Sequence, residues 1–456
     1  MTAPDVTSST SPVNVAPRAT WRDSLAVYLK PRVLIVLFLG FSSGLPLALS
    51  GSTLLVWMRE AGVDLGTIGL FALIGTPYTL KFLWAPLVDA LHVPYFTKTF
   101  GRRRGWLLFS QLLLIVTIVL LALTDPARSP PMVALAALLV AATSATQDIV
   151  VDAFRVESLP ESEQAAGMAA YVAAYRIGML VSTAGALFIV TGFETAGVAR
   201  SAAWMWGYEV MAVLVLIGTI TALVATEPGQ SVRVESATQA ETAFARVMHA
   251  AIGAFSEFLS RKDALAVLAF VVLFKFTDAF SGTMTAPFVI DLGFSRNDYA
   301  AIVKGVGLAA TLIGGFAGGF LARRYTLATS LWIGGVVQAL ANLSFSWLAA
   351  VGINQWALAL AITAENFTSA IGTVIFVAYL SALCQNPLHT ATQYALLTAL
   401  AAVGRTYLSS GAGYVAKAAG WPLFFAICVV VAVPSLILLG RLQRRGHFDA
   451  LGPVKV

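Results

Sequence analysis

Residues 143–176, TSATQDIVVDAFRVESLPESEQAAGMAAYVAAYR, place Gln147, Asp148 and Asp152 on one helical stretch and Tyr175 and Arg176 inside the next, within otherwise apolar sequence. Asp148 and Asp152 are four residues apart, so in a helix both carboxylates leave the same face. A carboxylate there can take up and release a proton, and a guanidinium can hold an anion through its planar fork. Further ionisable groups recur inside apolar runs: Lys81, Lys275, Asp278, Glu365 and Arg405. With Asp148, Asp152 and Arg176 they make eight charges, which at about 2.5–3.5 kcal/mol each on insertion scales would cost roughly 20–28 kcal/mol together if they faced lipid. They must border protein or water. For any one of them, pairing with a neighbour is the plainer use, as for Lys275 and Asp278 one turn apart. Together with Gln147, Tyr175, Asn366, Gln393 and Tyr394, the set suits a cavity for a large polar substrate.

The elements that hold these groups follow from composition. Of 456 residues, 58% are hydrophobic and 11% charged, with a mean hydropathy of +0.81. Soluble domains carry about 25% charged residues. The chain reads as a polytopic all-α membrane protein, since a spanning helix takes about 20 apolar residues. Expected spans lie at roughly 33–57, 66–88, 105–125, 131–154, 164–190 and 204–226, then 263–290, 298–322, 327–350, 356–383, 390–416 and 421–440. Placing both termini inside puts Arg102, Arg103, Arg104, Arg323, Arg324, Arg441, Arg444 and Arg445 on the cytoplasmic face. Arg59, Arg128, Arg200, Arg296 and Lys417 are then outside. The net charge of +6 is explained by anionic headgroups rather than by nucleic acid.

Five regions result: a polar tail over 1–32, a six-helix half over 33–226, a linker over 227–262, a second half over 263–441 and a tail over 442–456. Residues 1–31 lack the apolar core of a secretory signal. Within the linker, Phe244, Val247, Met248, Ala251, Phe255, Phe258 and Leu259 form one stripe, as in an interfacial amphipathic helix. The halves echo each other. ALSGSTLLVWMREAG at 48–62 aligns without gaps on AFSGTMTAPFVIDLG at 279–293. APLVD, ending at Asp89 before GRRRG, and GFLARR, ending at Arg324, both resemble the G-x-L-x-D-R-x-G-R-R corner of the major facilitator superfamily. Ala85 replaces the glycine in the first copy, and Arg323 stands where the second should have its acid. Such corners clamp helix ends in one conformational state, which makes Asp89, Arg102, Arg103, Arg323 and Arg324 candidate gate residues.

Other motifs point to packing. GLPLALSG, GGFAGG and SSGAG suit close helix approach, and Pro46, Pro77, Pro86, Pro287 and Pro434 suit kinks. His92, His249, His389 and His447 make no metal spacing, Cys384 and Cys428 suit buried free thiols, and no nucleophile has a base nearby in sequence. The reading is therefore not an enzyme, with no cofactor and no metal.

Several blocks carry a closer resemblance. QDIVVDAFRVESLP with AAYRIGML, FSSGLPLALSGSTLLVWM, KFLWAPLVD, GRRRGWLL, FKFTDAF and TATQYALLTALAAVGR are similar to the AmpG muropeptide permease family, from about residue 30 to 425. KFLWAPLVD and QDIVVD also resemble acetyl-coenzyme A transporters more loosely. The resemblance implies proton-dependent import of anhydromuropeptides across the bacterial inner membrane for peptidoglycan recycling, by a monomer, with a link to beta-lactamase induction in some bacteria. On that reading Lys81, Arg176, Lys275 and Arg405 are expected to meet substrate carboxylates, and Gln147, Tyr175, Asn366 and Gln393 its sugar and amide groups. Asp148, Asp152, Asp278 and Glu365 are the candidates for the coupled proton. A carrier of acyl- or nucleotide-linked metabolites and a non-transporting sensor are the alternatives.

Overall fold

The computed structural model describes residues 26–228, 259–384, 390–449 and 451. The expected linker helix, at 244–259, falls outside them apart from its last residue. Ten helices among the described residues are long and apolar enough to cross a membrane: α1 Pro31–Glu60, α3 Arg102–Ala122, α4 Pro130–Ser158, α5 Ala166–Thr195, α6 Arg200–Val224, α7 Ala264–Asp291, α8 Arg296–Ala322, α9 Leu327–Val351, α10 Gln355–Leu383 and α12 Trp421–Arg444. Each overlaps an expected span. The other two expected spans are broken. The stretch α2, residues 65–90, is a chain of the short helices Leu65–Leu70, Thr76–Leu80 and Ala85–Ala90 with 3-10 turns between them. The stretch α11 joins Thr390–Tyr407 to Ala412–Ala419 through a 3-10 turn.

Proline explains part of this. Pro77 and Pro86 lie in the first turns of the second and third pieces of α2, where a missing N–H costs nothing, and the preceding helix must end before them. Pro46 in α1 precedes a π-helical turn, Leu49–Thr53, in which Gly51 leaves helical geometry. Pro287 and Pro434 each sit within a single α-helical segment, where the missing N–H removes one bond of the ladder.

The glycine motifs bring helices into contact. Against α5, a Cβ on Gly40 or Gly44 would run into the backbone of Tyr171 or Tyr175, and one on Gly178 into the Phe41 carbonyl. Gly314 and Gly318 of GGFAGG meet Phe367 and Ile371 of α10 in the same way, whereas Gly315 and Gly319 face open space. These approaches fix α1 on α5 and α8 on α10.

The apolar interior is divided unequally. One large cluster joins both halves, with Trp57, Met58, Trp204 and Tyr208 from the first and Met284, Phe288, Phe345 and Phe425 from the second. Two smaller clusters serve one half each: Val36, Leu107, Val151 and Phe154 in the first, and Phe270, Ile375, Tyr379 and Leu439 in the second. The shared cluster lies at the end carrying Arg59 and Arg296, and the separate ones toward the arginine-rich end. Among the described residues, the halves are therefore fused at one end and parted at the other.

Candidate functional site

Ion pairs reinforce the fused end. Glu60 at the end of α1 accepts from Arg296 Nε at 2.6 and 2.7 Å, and the same guanidinium reaches Glu194 of α5 at 2.7 and 2.9 Å. Trp204 Nε1 donates to Glu60 at 3.1 Å, and its ring lies beneath the Arg296 guanidinium. The Arg296 side chain is only 7% exposed, so this cluster is sheltered. Arg59 pairs with Asp291, which also accepts from Trp421 Nε1 at 3.1 Å. Gly413 of α11 packs against Leu65 and Gly69 of α2, so the SSGAG motif serves contact between halves. Lys417 and Asp64, 3.5 Å apart, are exposed and contribute little.

Beneath this closure, a hollow of about 320 Å³ opens between the halves. Ser52 of α1 and Arg176, Met179 and Thr183 of α5 line one side. Gly282 of α7, Tyr299, Lys304 and Thr311 of α8, and Glu365 and Asn366 of α10 line the other. Three π-helical segments meet here: Leu49–Thr53, Val181–Gly185 and Tyr299–Val306. Such segments widen a helix and re-aim its side chains, often at functional sites. Among the described residues, neither Arg176 nor Lys304 has a carboxylate within 4.0 Å, and the Glu365 carboxylate has no ion-pair partner. The Asn366 side chain bonds the Ile362 carbonyl and the Thr311 hydroxyl.

Each half also holds a lysine, an aspartate and a serine. In the first half, Lys81 Nζ lies 3.9 Å from Asp148, which accepts a hydrogen bond from Ser43 of α1. Tyr171 Oη reaches Ser43 at 3.4 Å, and the Tyr175 ring lies against Tyr171. Asp148 is 6% exposed and Gln147 fully buried. Gln147 Nε2 donates to Ser42, while its Oε1 and both polar atoms of Gln111 have no partner among the described residues. Buried atoms of this kind call for ordered water. In the second half, Lys275 donates to Asp278 at 3.2 Å and to Thr373 at 2.9 Å, while Ser369 donates to Asp278 at 2.7 Å. The acid sits on α4 and its serine on α1 in one half. In the other, the acid sits on α7 and its serine on α10.

The expected residues thus fall into groups. Arg176, Glu365 and Asn366 share the hollow. Asp148, Lys81, Gln147 and Tyr175 gather beside α1, while Asp278 meets α10 at Ser369, one turn from Glu365, and Lys275 meets it at Thr373, about two turns away. Asp152 turns toward Arg155, 3.6 Å away, and is half-exposed. Arg405 is exposed and does not line the hollow. The side chains of Gln393, Asp89 and Arg323 lie outside the described ones. Arg103 and Arg102 pair with Glu157 at 2.5 and 3.7 Å, within their own half, and Arg324 sits over the Tyr325 ring. Lys304, Glu60 and Arg296 were missed because a span counted from its ends places them near the membrane surface. The spacing of Tyr299 and Lys304 inside an apolar run was the available signal.

Comparison with known proteins places this arrangement. Residues 36–407 match the Major Facilitator Superfamily. The chain is 39% identical over 416 residues to the anhydromuropeptide permease of Escherichia coli (strain K12), covering 91% of this chain and 80% of that one. It is 33% identical to the putative transporter AmpG 4 of Rickettsia felis, with 91% and 97% covered. Among solved structures, the nucleoside transporter NupG superposes with a TM-score of 0.66 at 14% identity, over 92% of this chain and 98% of that one.

Proposed function

The chain belongs to the Major Facilitator Superfamily and, within it, to the anhydromuropeptide permeases, and we propose that it imports anhydromuropeptides together with protons for peptidoglycan recycling. The observation that carries this reading is the hollow between the halves, where no carboxylate of the described residues lies within 4.0 Å of the Arg176 guanidinium. A disaccharide bearing an acidic peptide offers carboxylates to such a cation, and hydroxyl and amide groups to Ser52, Thr183 and Asn366. At about 320 Å³ the hollow holds one portion of that substrate. The remainder extends toward the parted end.

In this reading the arginine-rich end is cytoplasmic, so both termini are cytoplasmic and the structure is the inward-facing state of an inner-membrane monomer surrounded by lipid. The broken α2 and α11 complete twelve spans, the halves are 33–226 and 263–441, and 227–262 links them. Lys81 and Lys275, already paired with Asp148 and Asp278, serve the coupling acids more than the substrate. When Asp148 takes a proton, Lys81 loses its counter-ion, which links protonation to the packing of α2 on α4. Glu365, Asp278 and Asp152 are further proton candidates, and Tyr175 and Gln147 support the Asp148 site. Asp89, Arg102, Arg103, Arg323 and Arg324 clamp the cytoplasmic end in the outward-facing state, with Arg405 and Gln393 meeting substrate on its way inward.

The substrate class is tested by competition. Proteoliposomes containing the protein should accumulate labelled N-acetylglucosaminyl-1,6-anhydro-N-acetylmuramyl tripeptide, and unlabelled anhydromuropeptide should suppress the signal at least tenfold. Suppression by acetyl-coenzyme A instead would assign the chain to the other carrier class.

A further inference from the structure

We infer that Lys304 is a substrate-specificity residue: it meets a carboxylate of the transported molecule from the second half while Arg176 offers its guanidinium from the first. The inference rests on the permease reading and adds to it the residue that reads substrate charge. Its basis is local. Tyr299 and Lys304 are five residues apart, and in an α-helix they would point to different faces. The segment Tyr299–Val306 is instead π-helical, with a repeat that returns every fifth residue toward one side. The Lys304 ammonium accordingly lies over the Tyr299 ring, 5.4 Å from its centre, and both residues line the hollow.

A cation held by an aromatic face in this setting calls for an anion. Among the described residues, no carboxylate lies within 4.0 Å of Lys304, although Glu365 lines the same hollow and is close enough for the two charges to interact at longer range. Across that hollow Arg176 likewise has no carboxylate of the described residues within 4.0 Å. Two cations facing one carboxylate leave a local excess of one positive charge, which a substrate carboxylate would neutralise. The two cations come from opposite halves, so an anion touching both would tie the halves together around the substrate. A neutral sugar could not do this.

The test pairs a change in the protein with a change in the ligand. Uptake into proteoliposomes is measured for the anhydromuramyl disaccharide tripeptide and for the same compound with its peptide carboxylates amidated. The wild-type protein should take up the free acid with a half-saturation concentration about tenfold or more below that of the amide, as expected for a charge-assisted hydrogen bond. Lys304→Met should raise the value for the free acid by a similar factor and change that for the amide less than twofold. Lys304→Arg should keep the preference for the acid. Equal losses for both compounds in Lys304→Met would overturn the inference. So would a wild-type protein indifferent to amidation, which needs no variant to fold. Failure of the wild-type protein to transport either compound would defeat the permease reading itself.

Discussion

Replacing Asp148 with asparagine should abolish proton-coupled uptake, by about a hundredfold or more, while the protein reaches the membrane at normal levels. Asparagine keeps the shape and can still accept from Ser43, so α1 and α4 should pack as before. It cannot hold a negative charge, and the Lys81 ammonium then loses the carboxylate that lies 3.9 Å from it. The switch between a paired and an unpaired lysine, by which protonation biases one packing of the helices over another, is lost. Asp148→Glu keeps the charge and should retain measurable uptake. Radiolabelled uptake normalised to membrane content decides the matter, and normal gradient-driven uptake by Asp148→Asn would remove this residue from the coupling mechanism.

Arg296→Ala should open the fused end. Its guanidinium holds Glu60 and Glu194 from two helices of the first half, and removing it leaves the sheltered Glu60 without a cation and Glu194 with only the exposed Arg200. Breaking such a pair from one side costs about 3–5 kcal/mol, and here the closed state bears that cost. In a background carrying Cys384→Ser and Cys428→Ser, a cysteine placed at Ser52 in the hollow should react with a membrane-impermeant maleimide from outside at least tenfold faster in Arg296→Ala than with Arg296 intact. Exchange of charges in Glu60→Arg with Arg296→Glu should restore slow labelling only in part, because Glu194 would then face a new acid. Unchanged labelling in Arg296→Ala would show that the apolar cluster around Trp57, Trp204 and Phe288 closes this end by itself.

The sequence carried the architecture because a bilayer leaves few choices. Apolar runs of about 20 residues become helices, since backbone groups in lipid must be satisfied internally. Pairs within a turn or two were legible for the same reason, as with Lys275 and Asp278. Arg176 and Glu365 could be singled out by their cost in lipid, but that they share a hollow depends on how α5 and α10 meet in three dimensions. Arg405 shows the limit of that argument: an ionisable residue in an apolar run, exposed and outside the hollow. Lys304 and Arg296 escaped for a different reason. Depth counted from span ends makes both look interfacial, whereas a π-helical turn directs the first inward and two acids from another half bury the second. The breaks in α2 and α11 were similarly hidden, because hydropathy averages over the turns that Pro77, Pro86 and Gly411 introduce.

The most direct measurement is accumulation by the purified protein in sealed proteoliposomes under an imposed pH gradient. With the exterior more acidic, labelled anhydromuropeptide should concentrate inside several-fold above the medium, and a protonophore should collapse the accumulation to equilibrium. Substrate that only equilibrates, at a rate indifferent to the gradient and the protonophore, would contradict the account of a hollow whose charged walls couple its cargo to protons.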